Sequence, residues 1–265
     1  MKRDNLSFRR LAIAAATFSL LAAPAAIARP HSRRAAAVPP ATEGQTPHLA
    51  PAGGYPYLLF LPRGYNAAAS AQWPVIVFLH GSGEAGTDLE KVKANGPPKI
   101  VEHDSGFPFI VISPQTTSED AFDTAMLEKT LNAALAGLRA DPDRIYLTGL
   151  SMGGIGTWAW AEADPGRFAA IAPIAAEGDT ARACALARLP TWAFHGDKDD
   201  VVPVTGDFSM VAAIRACGGN PRLTIYPDTG HWSWVAAYDD PQLYLWFLHH
   251  RRSQLEPNAK PDAKP

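Results

Sequence analysis

Residues 145–154 read Ile145-Tyr146-Leu147-Thr148-Gly149-Leu150-Ser151-Met152-Gly153-Gly154, and the reading of this stretch decides the fold. Its first four residues suit a strand, and residues 152–163 continue in a helical pattern. Between them Gly149, Ser151 and Gly153 form G-x-S-x-G. A strand that turns sharply into a helix around a serine needs glycines two positions to either side, where a Cβ would clash in the crowded turn. Ser151 then presents its hydroxyl at a helix N-terminus, where unpaired N–H groups and the helix dipole favour developing negative charge. Without its flanks, the same pattern is an ordinary serine N-cap after a glycine turn.

Outward from this turn, short β-branched and aromatic runs alternate with longer helical stretches. Strands are expected at 57–61, 75–79, 109–113, 145–148, 169–175, 191–194 and 223–226, and helices at 89–102, 124–139, 152–163, 205–216 and 236–249. Several strand runs are continuously apolar, as strands covered on both faces are. Leu127, Leu131, Leu135 and Leu138 recur at helical spacing. The alternation predicts an α/β fold, a mostly parallel sheet with helices on both faces, in which ligands meet the carboxyl ends of the strands.

Three polar segments stand at such ends. His80-Gly81-Ser82-Gly83-Glu84 follows the 75–79 strand, and its glycines let main chain pass close to a substrate. The N–H of Ser82, with Gly83 as second candidate, can join that of Met152 to bind an oxyanion. His80 reads as a buried, hydrogen-bonded structural histidine, and Glu84 as a rim or structural residue. His195-Gly196-Asp197-Lys198-Asp199-Asp200 follows 191–194, and Pro227-Asp228-Thr229-Gly230-His231-Trp232 follows 223–226. Singly these are ordinary polar turns. With Ser151 they give the chain order Ser, Asp, His, which is the order of α/β-hydrolases and not of the two common serine-protease arrangements.

On these residues the chain resembles α/β-hydrolases of the carboxylesterase, phospholipase-like esterase and dienelactone hydrolase group, in which some members carry the label of peptidases. The resemblance runs over nearly all of 57–252. It implies the α/β-hydrolase fold, and selects Asp199 as the acid within H-G-x-x-D at 195–199, leaving Asp197 and Asp200 as turn and surface residues. It likewise implies Ser151 as nucleophile, His231 as base, and Ser82 and Met152 as oxyanion donors. The implied activity is hydrolysis of carboxylic esters through an acyl-enzyme, with no cofactor. A serine peptidase or a feruloyl or acetyl esterase on the same triad is the alternative. A catalytically silent binding protein would show a broken triad. Only about 15 residues separate the fifth expected strand, ending at 175, from the sixth, starting at 191, too few for a helical cap domain. Of Trp158, Trp160, Trp232 and Trp234, only Trp232, beside His231, is assigned to substrate binding.

The 265 residues are 47% hydrophobic and 19% charged with a formal net charge of −2, which excludes a disordered chain and gives no electrostatic footprint for nucleic acid. His80, His195 and His231 with nearby aspartates could suggest a metal, but no H-x-H, H-E-x-x-H or calcium-loop spacing occurs, and no metal is expected. Residues 1–28 place Lys2, Arg3, Arg9 and Arg10 before an apolar run at 11–23 and end in Ala26-Ile27-Ala28. That is the pattern of a cleaved export signal, with an apolar run shorter than the roughly 20 residues of a membrane span. Arg9-Arg10 loosely matches a twin-arginine signal. Residues 29–56 read as a flexible Ala/Pro-rich leader and 253–265 as a disordered tail, leaving one catalytic domain at 57–252. The product is expected to be soluble in the periplasm or secreted, without a membrane anchor, and to act on a small-molecule or polymer-linked ester. Removing 1–28 leaves 20 basic and 25 acidic residues, a charge of −5. Cys184 and Cys217, the only cysteines, are placed to form a disulfide in an oxidising compartment or to remain two buried thiols.

Overall fold

The structure, a computed structural model, describes residues 41–67 and 70–255. Its strands are β1 (Gly44–His48), β2 (Tyr57–Leu61), β3 (Trp73–Leu79), β4 (Ile110–Pro114), β5 (Ala140–Leu150), β6 (Ala170–Ile174), β7 (Trp192–Gly196) and β8 (Arg222–Tyr226). They form one sheet in the order β1-β2-β4-β3-β5-β6-β7-β8. β1 and β2 run antiparallel to their neighbours, and the remaining pairings are parallel.

The helices are α1 (Gly96–Val101), α2 (Thr124–Leu135), α3 (Met152–Ala163), α4 (Thr205–Ala216), α5 (Trp234–Asp239) and α6 (Pro241–Leu248). Because successive side chains of a strand point to opposite faces, each apolar strand feeds two cores. Val75, Val77 and Leu79 of β3 pack with Leu127, Leu131, Trp158, Met210 and Ile214 from α2, α3 and α4. Ile76 and Phe78 pack with Val101, Ala237, Leu243 and Phe247 from α1, α5 and α6. Each such side chain contributes about 1.5–3 kcal/mol when fully buried, so the unbroken apolar runs follow from the sheet having helices on both sides. Between β6 and β7 the chain forms only a short 3-10 turn at Ala183–Leu186, and no cap domain is built there.

Several boundaries differ from those the sequence suggested. The expected leader 29–56 is folded from residue 41 onward: β1 pairs along β2, and Tyr55 is buried with its N–H donating to Thr130 Oγ1 at 2.7 Å. β1 has no apolar alternation and carries Pro47, which an edge strand tolerates because the missing N–H would face outward. The expected tail likewise begins later, since Arg252–Leu255 forms a 3-10 turn whose Ser253 is bonded to Asp143. The export signal 1–28, the leader segment 29–40 and the tail 256–265 lie outside the described residues.

The single helix expected at 89–102 is a 3-10 segment at Leu89–Ala94 followed by α1. Pro97 and Pro98 have no N–H to continue a helix arriving from upstream, and they fit only its first turn. Pro241 divides the expected 236–249 helix for the same reason, with Asp240 capping Gln242 N–H at 2.9 Å. Cys184 and Cys217 are joined in a disulfide, their Cα atoms 5.2 Å apart, which ties the β6–β7 connection to the end of α4.

Candidate active site

β5 ends at Leu150, α3 starts at Met152, and Ser151 makes the turn with φ 53° and ψ −121°. A left-handed backbone on a residue with a Cβ costs about 1–3 kcal/mol and persists only where its surroundings enforce it. Here Ser151 N–H donates to Ile174 O, and Ser151 O accepts from Ile155 N–H, both at 2.9 Å. The flanking glycines are demanded by crowding. A Cβ on Gly149 would stand 2.3 Å from Gly153 O, and one on Gly153 would stand 2.1 Å from Leu79 O. Among the described residues the non-glycine positions with positive φ are Ser151, Ala175 and Asp228, all just past the carboxyl ends of strands.

The loops after β7 and β8 meet at the same edge. His231 Nε2 lies 2.8 Å from Ser151 Oγ, and His231 Nδ1 lies 2.7 Å from Asp199 Oδ2. Asp199 Oδ1 accepts from the N–H groups of Val201 and Val202, each at 2.9 Å. The Asp199 side chain is fully buried and that of His231 is 12% exposed. Burial pushes the Asp199 carboxyl up, but the His231 bond and the two backbone donors outweigh it and hold it below the usual carboxylate range. An ionised Asp199 fixes the proton of His231 on Nδ1. The lone pair of Nε2 is then free to accept the Ser151 hydroxyl proton.

The structure therefore brings together Ser151, Asp199 and His231, from three loops separated by up to 80 residues. Ser82 opens a 3-10 turn at Ser82–Glu84 directly after β3. The register of β3 on β5 pairs Leu79 with Gly149, so this turn lies beside Ser151, and Gly81 packs on Leu150. Met152 is the first residue of α3, whose leading N–H groups have no acceptor within the helix. Trp232 is 68% exposed and stacks obliquely on Trp234 at 5.0 Å. Asp197 and Asp200 are exposed. His80 is buried, donating from Nδ1 to Gly81 O at 2.6 Å and accepting at Nε2 from Thr116 N–H at 3.2 Å. Burial lowers its pKa to about 4, so it is a neutral structural histidine. Trp158 and Trp160 are core residues.

Two contributions were not assigned from the sequence. Trp234, buried, meets the His231 ring nearly at right angles (86°) at 5.0 Å. Its Nε1 donates to Asn95 Oδ1 at 3.2 Å, Asn95 Nδ2 donates to Glu84 Oε1 at 2.8 Å, and Gly81 N–H donates to Glu84 Oε2 at 2.9 Å. This chain ties the turn carrying Ser82 to the loop carrying His231, and gives Glu84 its structural place. The second contribution is His195, which is buried behind Asp199.

A mostly parallel eight-stranded sheet of this order, helices on both faces and a strained serine turn after β5 define the α/β-hydrolase fold. Comparison with known proteins points the same way. Residues 179–253 match the Prolyl oligopeptidase family. "Probable feruloyl esterase C" of Aspergillus terreus is 27% identical over 164 residues, 59% of this chain and 59% of that protein. The crystal structure of a thermostable esterase superposes with a TM-score of 0.66 at 29% identity, over 78% of this chain and 62% of that one. A ferulic acid esterase shares the fold, with a TM-score of 0.59 at 16% identity over 77% of this chain and 94% of its own. The chain thus spans about six tenths of the first two relatives. Its similarities fall in a group of α/β-hydrolase esterases and peptidases.

Proposed function

We propose that the protein is an exported serine esterase that hydrolyses carboxylic esters through Ser151, His231 and Asp199 by way of an acyl-enzyme. The observation that carries this reading is one imidazole bridging a hydroxyl at 2.8 Å and a buried carboxylate at 2.7 Å. His231 takes the Ser151 proton as the oxygen attacks the ester carbonyl, and returns it to the departing alcohol. Asp199 holds the imidazole tautomer and balances the imidazolium. The N–H groups of Ser82 and Met152 bind the tetrahedral oxyanion, each such donor contributing about 3–4 kcal/mol to the transition state. Water then attacks the acyl-enzyme by the same route.

The lack of a cap and the exposure of Trp232 support an open site for a small or polymer-linked ester, with Trp232 as an aromatic platform at its rim. Export is supported by the basic-then-apolar pattern of 1–28, and by a disulfide suited to an oxidising compartment. Sequencing the N-terminus of protein recovered outside the cytoplasm tests it, with a start after Ala28 expected. The match to the Prolyl oligopeptidase family favours one second reading, a serine peptidase on the same triad.

Ser151→Ala decides the central claim. Folded variant protein is expected to lose p-nitrophenyl ester hydrolysis by about a thousandfold or more, while Trp232→Ala keeps the chemistry and raises KM. Turnover surviving in Ser151→Ala overturns the reading. Acetyl, feruloyl and aminoacyl substrates compared side by side separate esterase from peptidase.

A further inference from the structure

Behind Asp199 stands a second histidine and aspartate pair that the ester chemistry does not use. His195, in β7, is wholly buried. Its Nδ1 lies 2.7 Å from Asp207 Oδ2 in α4. Its Nε2 lies 2.9 Å from the Val202 carbonyl oxygen and 3.2 Å from Asp199 Oδ2, the same oxygen that receives His231 Nδ1–H. All of these partners are acceptors. A neutral imidazole has a single N–H, so it would turn a lone pair on one side toward a carboxylate or a carbonyl. With Asp207 ionised, only the doubly protonated ring satisfies both sides.

The counter-charge is built for this. Asp207, also fully buried, accepts from Trp158 Nε1 at 3.0 Å and from the Ala176 N–H as well as from His195. Burial opposes charge on His195, but its bonds to Asp207 and Val202 and the charges of Asp207 and Asp199 outweigh it, raising its pKa above the ordinary histidine value. Burial raises the Asp207 carboxyl as well, outweighing the three donors that favour its ionised form. The charged groups facing His195 are Asp207 from α4 and Asp199 from the β7 loop, with His231 on the far side of Asp199.

Resting on the triad reading above, we propose that His195 is a positioning residue, held as an imidazolium by Asp207, that shares the Asp199 carboxylate and so sets how firmly Asp199 keeps a proton on His231. Asp199 Oδ2 sits between two imidazoles, and part of its charge is answered from behind. The imidazolium that forms on His231 is therefore stabilised less than it would be facing an unshared carboxylate. Activity extends further to the acid side as a result.

The test is the acid limb of kcat/KM against pH. His195→Gln keeps an N–H donor toward Val202 and Asp199 but removes the charge, and Asp207→Asn removes the charge that holds the imidazolium. Both are expected to move the acid limb upward, on the order of one pH unit. A purely structural role would lower thermal stability and leave the limb where it is, and that result in folded variants overturns the proposal. Removing one partner of a buried pair can unfold a chain, so the wild-type protein supplies a second measurement. In histidine-labelled protein at pH 7, NMR is expected to find both ring nitrogens of His195 protonated, where an ordinary imidazole is mostly neutral. A neutral His195 there overturns the proposal irrespective of activity. Ester turnover surviving in Ser151→Ala would instead overturn the triad reading, so the two failures are distinguishable.

Discussion

Gly153→Ala should damage both stability and catalysis, although helix propensity predicts the reverse. Inside a helix alanine is ordinarily favoured over glycine by about 1 kcal/mol. At Gly153, however, a Cβ would lie 2.1 Å from Leu79 O, 2.5 Å from Leu79 C and 2.6 Å from His80 O, whereas real Cβ contacts essentially never fall below 3.0 Å. Those atoms are backbone of β3 and of the turn after it, so no side chain can swing aside. Relief requires the first turn of α3 to retreat from β3 by about 1 Å, the difference between the clash and the closest real contact. Overpacking of this kind costs about 1–3 kcal/mol or more. The same retreat moves Ser151 and Met152 N–H away from the Ser82 turn, and a misplacement of about 1 Å at a reacting centre costs about a hundredfold in kcat. Gly83→Ala is the stability control, because a Cβ there has nothing within 4 Å and φ is not positive. Urea unfolding and p-nitrophenyl ester kinetics read both effects. Gly153→Ala with the stability of Gly83→Ala and kcat within about twofold of wild type would refute the crowding argument.

Two further predictions concern the scaffold. The disulfide between Cys184 and Cys217 closes a separation of 33 residues, for which chain entropy gives about 4 kcal/mol. The double alanine variant should lose most of that in urea unfolding, the native protein should titrate no thiol, and a loss below about 1 kcal/mol would contradict the account. His80, with a pKa near 4 when folded and an ordinary value near 6.5 when unfolded, favours folding fully above about pH 6.5. That advantage is lost as pH falls from about 6.5 to 4, by up to about 3 kcal/mol. His80→Gln should flatten the decline of unfolding free energy between pH 7 and pH 4.5, leaving the part owed to His48 and His250, whose pKa values burial also lowers, that of His250 to about 4. An unchanged slope in the variant would show that His80 is not the group responsible.

Legibility in the sequence tracked how local the cause was. The turn at Ser151 is a local steric problem with a local solution, so its glycines and flanks announce it. Seven strands were legible from β-branched and aromatic runs, unbroken where both faces are buried, as in β2 and β3. β1 was not, since Gly44–His48 is stabilised by backbone pairing to β2 and its side chains carry no periodicity. The breaks at Pro97 and Pro241 were legible in principle, and an apolar helical pattern running through both prolines hid them.

The site divides along the same line. By itself the sequence determined the chain order of a serine, an aspartate cluster and a histidine, each beyond its own strand, and the resemblance to α/β-hydrolases selected Asp199 within that cluster. Which partners each of these has was decided by tertiary structure alone. His195 was read as the start of an ordinary polar turn, yet its meaning comes from Asp207, twelve residues on, and from Val202 and Asp199 closing around it. Glu84 reaches His231 only through Asn95 and Trp234, the link between those two spanning 139 residues of chain. Hydrogen bonds and buried charges act over a few ångströms in space, and no spacing along the sequence records which groups folding will bring within that reach.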